Sequence, residues 1–236
     1  MVKGILMDLG KTILTNENFS FANGLDKIYD HFDYINKNTP KDKYLETANK
    51  YMYLYKEREI TNIEIPFSIY ITKVLNDLNI TINTSNIEEI EDYFLINTIK
   101  DNLIPTVLLF LEYTKNNDIP VVIVSNSTFS KRALLKELNL LHIDHYFKSL
   151  ISSSDCLYRK PSKEIFNIGF QELQKLNINK DEVIFVGNDY QLDVLGSINA
   201  GFNACFYNIN NINFENCFSF NDYNDLIIYI NNLGVA

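Results

Sequence analysis

The chain has 236 residues, 46% of them hydrophobic, and sets 21 Lys and Arg against 30 Asp and Glu for a net charge of −9. That length and apolar content suffice for a packed core, with room for one large domain or for a core with a smaller one inserted. The acidic balance argues against nucleic acid, which is bound through clustered Lys and Arg, and no apolar run approaches the roughly 20 residues of a membrane span.

Cys156, Cys205 and Cys217 show no paired ligand spacing and leave an odd thiol, so packing in a reducing compartment is their expected role. The N-terminus enters an apolar strand with no charged leader, so a cytoplasmic monomer or homodimer with no membrane partner is expected.

Residues 1–14 read as a strand, Gly4-Ile5-Leu6-Met7, and the turn after it. The pattern then becomes helical. Phe21, Leu25, Ile28, Tyr29 and Phe32 share one face, as do Tyr44, Ala48, Tyr51, Met52 and Tyr55 in a second helix starting near Thr39-Pro40. Pro66 to Leu78 predicts a further helix, and Ser85-Asn86-Ile87-Glu88 has capping-box form ahead of Ile90, Tyr93 and Phe94. Residues 15–98 therefore read as an all-helical insertion into a core of residues 1–14 and 99–236.

From Pro105 helix and strand alternate: helix 105–117, strand 121–125, helix 130–138, strand near 149–153, helix 162–176, strand 183–186, helix 191–199, strand 203–207 and a last helix from Asp222 to Leu233. Such alternation predicts an α/β fold, a Rossmann-like, doubly wound parallel sheet with helices on both faces.

Asp8 ends the first strand, at the carboxyl edge where open α/β sheets bind their ligands, and is the candidate nucleophile. Ser125 ends the second strand at the same edge, its hydroxyl a candidate hydrogen-bond donor to a phosphate oxygen, with Asn126 beside it to help through its side chain or backbone. The backbone amides of Leu9 and Gly10 form a possible anion nest, and Thr12 reads as a local turn stabiliser. Asp189 and Asp193 stand four apart at the opening turn of a helix, where two carboxylates are costly unless joined by a cation such as Mg²⁺. His31, His142 and His145 fall outside every motif.

Taken in order, Asp8-Leu9-Gly10-Lys11-Thr12, Ser125-Asn126, Lys160-Pro161 and Gly187 with Asp189 and Asp193 resemble the motifs of the haloacid dehalogenase superfamily, over residues 1–14 and about 100–207. The resemblance implies a Mg²⁺-dependent phosphatase of a small phosphorylated substrate, with an aspartyl-phosphate on Asp8 and Lys160 as the cation beside it. Arg159 and Lys163 then read as a solvated basic run. The insertion would be a cap that selects substrate. Mg²⁺ would be held by Asp8, the Gly10 carbonyl, Asp189 and Asp193, with Asn188 as the alternative registration because the family's motif often begins Gly-Asp. Gly10 departs from the pattern, since typical members place there a second aspartate that protonates the leaving group. Two further readings stay open: a 2-haloacid dehalogenase, and a non-catalytic phosphate-binding regulator.

Overall fold

The computed structural model describes residues 1–15, 20–98, 102–209 and 214–233. Six parallel strands form one sheet: β1 (Gly4–Met7), β2 (Val121–Ser125), β3 (Phe147–Ser152), β4 (Val183–Gly187), β5 (Asn203–Tyr207) and β6 (Phe218–Phe220), in the order β3-β2-β1-β4-β5-β6. The order reverses at β1, which pairs with both β2 and β4. That is the switch point at which such sheets leave a crevice beyond their strand ends.

Both faces of the central strands are buried, which is why they read as continuous apolar runs rather than as alternation. Ile5, Met7, Val121, Ile123, Ile184 and Val186 enter one core, while Leu6, Val122, Val124, Val183 and Phe185 enter the other. On the second face α10 (Lys163–Gln174) lies close against the sheet: a Cβ at Gly169 would stand 2.6 Å from Val124, so only glycine fits there.

Among the described residues, six helices lie between the first strand and the rest of the sheet: α1 (Phe21–His31), α2 (Asp33–Asn36), α3 (Lys41–Lys50), α4 (Tyr53–Thr61), α5 (Phe67–Asp77) and α6 (Thr84–Thr98). The expected boundaries of the insertion fall beside residues 16–19 and 99–101, which lie outside the described residues. Where one helix was expected from Thr39-Pro40 to Tyr55, two form, because the chain leaves α3 at Tyr51 and re-enters a helix at Tyr53. The expected capping box is displaced by two residues. Asn83 and Asn86 exchange side-chain bonds with each other's amides at 3.1 and 2.9 Å, and Ser85 and Glu88 lie inside the helix.

Beyond the insertion come α7 (Val107–Asn116), α8 (Lys131–Leu140), α9 (Ser153–Cys156), α11 (Gly196–Asn199) and α12 (Tyr223–Asn232), the last capped by Asp222. Strand β6 and helix α2 had no signal strong enough to anticipate. The helix expected over 191–199 opens instead as a π turn, Tyr190–Leu195, before α11.

Candidate active site

The carboxyl ends of β1, β2 and β4 open on a cavity of about 470 Å³ whose wall includes Asp8, Ser125, Lys160, Asn188, Asp189 and Arg58. Asp8 is the last rung of the ladder, its amide donating to the Val186 carbonyl at 2.9 Å. The residue is 7% exposed, and its carboxylate is held at both oxygens. Lys160 Nζ donates to Oδ1 at 2.5 Å, and the Thr12 hydroxyl lies 3.0 Å from Oδ2 and 3.2 Å from Asn188 Oδ1. Thr12 thus does more than stabilise its own turn, since it links Asp8 to the end of β4. It is fully buried, and its carbonyl accepts from the Tyr223 hydroxyl of α12 at 2.6 Å.

Lys160 is buried at 2% exposure and carries a second bond, 2.7 Å to Asp193 Oδ1. Burial disfavours its charge, but Asp193 and Asp8 outweigh that and hold the ammonium above the ordinary lysine value. Burial is also the largest influence on Asp193 and lifts its carboxyl to about 6 against the pull of Lys160, with the Asp8 charge adding to the rise. Two carboxylates share one ammonium, so the buried cluster keeps an excess of negative charge.

The side chain of Asp193 turns back over the strand end, where Oδ2 accepts the amides of Asn188 at 3.0 Å and Asp189 at 2.9 Å. A Cβ at Gly187 would stand 2.5 Å from that carboxylate, so the approach requires glycine. Asp193, expected as a metal ligand or as support behind one, thus positions Lys160 through one oxygen and the strand end through the other. Asp189 Oδ1 caps the π turn, accepting from Gln191 at 2.9 Å and Leu192 at 2.8 Å, and the residue is exposed. It is Asn188, the alternative registration, whose side chain stands next to Asp8 through Thr12. Among the described residues no three His, Cys, Asp or Glu side chains gather as a metal cluster.

Asn126, expected to help bind substrate through its side chain or backbone, lines the cavity and spends both ends of its side-chain amide on the backbone of Lys160: Oδ1 accepts the Lys160 amide at 2.7 Å, and Nδ2 donates to its carbonyl at 3.0 Å. Ser125 is buried at the strand end and faces the cavity, as expected. Leu9 and Gly10 line the same wall. The bridge from Gly10 to Leu14 bonds Leu14 N to the Leu9 carbonyl and Lys11 N to the Leu14 carbonyl, so neither bond uses the carbonyl of Gly10.

Arg159 is not solvated. It pairs with Glu64, a carboxylate of the helical insertion that is 1% exposed and also accepts from Arg58 at 2.9 Å and Ser153 at 2.7 Å. Sequence reasoning missed both Glu64 and Arg58, which sit in unremarkable charged stretches; no spacing marks a pair that meets the lysine loop only in three dimensions.

A family model described as haloacid dehalogenase-like hydrolase matches residues 5–207. A glyceraldehyde 3-phosphate phosphatase of Methanothermobacter thermautotrophicus is 29% identical over 86 residues, 36% of each chain. The pyrimidine 5'-nucleotidase YjjG of Escherichia coli is 36% identical over 63 residues, 27% of each. The matched segments thus span about a third of the length of these curated relatives. A 2-haloacid dehalogenase structure from Pseudomonas syringae pv. Tomato superposes with a TM-score of 0.68 at 16% identity, covering 99% of this chain and 100% of that one, a likeness of fold.

Proposed function

The chain belongs to the haloacid dehalogenase-like hydrolases, and from that membership we propose that it hydrolyses phosphate monoesters of a small metabolite through an aspartyl-phosphate on Asp8, with Mg²⁺ as cofactor. The observation that carries this reading is the buried bond between Asp8 and Lys160, opening on the cavity at the switch point of the sheet.

In the proposed reaction a carboxylate oxygen of Asp8 attacks phosphorus, the phosphorus–oxygen ester bond breaks, and the departing oxygen takes a proton from solvent to leave as the alcohol. Water then attacks phosphorus, releasing inorganic phosphate and freeing Asp8. Lys160 has three N–H donors, two of them engaged by Asp8 and Asp193, so a third serves a phosphoryl oxygen. The Ser125 hydroxyl and the amides of Leu9 and Gly10 serve the other phosphoryl oxygens.

The donor set fits Mg²⁺, since Asp8, the Gly10 carbonyl and the Asn188 amide oxygen are hard oxygen ligands beside a cluster with excess negative charge. These three residues would hold it. When bound, the ion supplies the charge that lets a phosphate dianion approach a carboxylate. Helices α1–α6 act in this reading as the cap that covers the cavity.

The test is hydrolysis of p-nitrophenyl phosphate and a panel of phosphorylated metabolites, with 2-chloropropionate alongside. Asp8→Asn is expected to reduce phosphate release to background while leaving the circular dichroism spectrum unchanged, and EDTA is expected to abolish turnover reversibly. Metal-independent chloride release from 2-chloropropionate, without phosphate release, would replace this reading with a dehalogenase.

A further inference from the structure

Among the described residues, Arg58 is the side chain that helices α1–α6 place on the wall of the cavity containing Asp8. Its Nη1 is fixed at 2.9 Å on Glu64 Oε1, and the ring of Tyr55 lies 4.9 Å from its guanidinium carbon. Its Nε is buried without a hydrogen-bond partner. Glu64 is fully committed: Oε1 also accepts the Ile65 amide at 3.1 Å, and Oε2 accepts Arg159 and Ser153.

Two guanidiniums therefore share one carboxylate, and the cluster carries positive charge that Glu64 does not cancel. Arg159 registers this. Burial is the largest influence and lowers its guanidinium below the ordinary arginine value; Glu64, with a smaller pull from Glu59, opposes this, and the neighbouring Arg58 adds to the lowering. A rigidly held, incompletely neutralised guanidinium on a cavity wall suits an anionic ligand, which a planar fork of donors recognises with high specificity. The groups proposed for the transferring phosphate come from the ends of β1 and β2 and from Lys160. Arg58 comes from the helical insertion, a different element from those proposed for the phosphate.

Resting on the phosphatase reading above, we propose that Arg58 determines substrate choice by binding a second anionic group, a carboxylate or a phosphate, on the leaving-group side of the ester. The favoured substrates are then phosphorylated hydroxy acids or bisphosphates rather than esters of neutral alcohols.

The experiment compares kcat/KM within matched pairs. Glycerol 2-phosphate against 2-phosphoglycerate reads the carboxylate source, fructose 6-phosphate against fructose 1,6-bisphosphate reads the phosphate source, and p-nitrophenyl phosphate reports on the underlying reaction. The natural protein is expected to favour the doubly charged partner by about 10- to 100-fold in at least one pair, the range of a charge-assisted bond. Arg58→Gln is expected to bring that ratio to within about twofold of one, and Arg58→Lys to keep part of it. A ratio taken within one preparation is insensitive to lost folding, and Glu64 keeps Arg159 and Ser153 in either variant. Asp8-dependent hydrolysis with no preference in either pair, or a preference that survives Arg58→Gln, overturns this inference alone. Absence of Asp8-dependent hydrolysis for every ester, p-nitrophenyl phosphate included, overturns the phosphatase reading and this inference with it.

Discussion

Gly10 leaves the turn beside the proposed nucleophile without a side chain, and general acid assistance of the kind a carboxyl there would give is worth about 10²- to 10⁴-fold. Hydrolysis is therefore expected to depend steeply on the leaving group, with aryl and acyl phosphates favoured, and slow breakdown of the aspartyl-phosphate is expected to appear as a burst. Gly10→Asp is expected to raise kcat/KM for poor leaving groups by about 10²-fold. Gly201 alone among the described glycines has a left-handed φ, so a side chain at Gly10 meets no backbone penalty. The check is the slope of log kcat/KM against leaving-group pKa, and a flat line for the natural protein would show that another residue protonates the departing oxygen. Asp8, Ser125 and Lys160 were legible because each follows from its own segment: a carboxylate or hydroxyl ending an apolar strand, or a lysine in a recognisable run. The duties of Thr12, Asn126 and Arg159 were not, because each depends on a partner at least 34 residues away.

The choice between Asn188 and Asp189 belongs to the π turn as an element. Val194 donates to the Asp189 carbonyl at 3.2 Å, a five-residue step, and this wider turn brings Asp193 back over Gly187 while Asp189 becomes a cap. Residue spacing alone could not reveal it, since an α-helical turn was the natural assumption. The segment between α4 and α5 is a second such element. With the first residue of α5 it bonds to both site loops, Glu64 N to the Leu157 carbonyl at 2.7 Å and Phe67 N to the Thr128 carbonyl at 2.8 Å, with Glu64 as its buried anchor. Removing one member of a buried ion cluster leaves uncompensated charge, so Glu64→Gln, which sets two guanidiniums against a neutral amide, is expected to cost about 3 kcal/mol. Urea unfolding checks this; a loss below about 1 kcal/mol would mean that the segment is held by its backbone bonds alone.

At the scale of the molecule, the alternation of helix and strand and the helical insertion were readable because hydrophobic periodicity reports which faces are buried. How the insertion sits on the sheet was not, because that contact is made by side chains distant in sequence. Phe129, in the loop after β2, packs between Phe67 of α5 and Phe94 of α6 at ring-centroid distances of 5.6 Å each, joining an aromatic cluster with Phe21 and Tyr70. The insertion and the sheet thereby share one continuous apolar core. Any rotation of the insertion away from the sheet must withdraw these rings from Phe129, so this packing is held largely by burial, with the ion pairs of Arg132 to Glu91 and Asp92 at its partly exposed edge. Phe129→Ala removes a fully packed ring at that junction and is expected to loosen the insertion without dissolving the sheet. Amide hydrogen exchange separates the two. The amides of Glu64 and Phe67, bonded across to the site loops, are expected to exchange at least about 10-fold faster in the variant, while the amide of Asp8, bonded to Val186 within the sheet, keeps its protection. Equal acceleration at all three would show that insertion and sheet unfold as one unit and that closure of the cavity is not a separate motion.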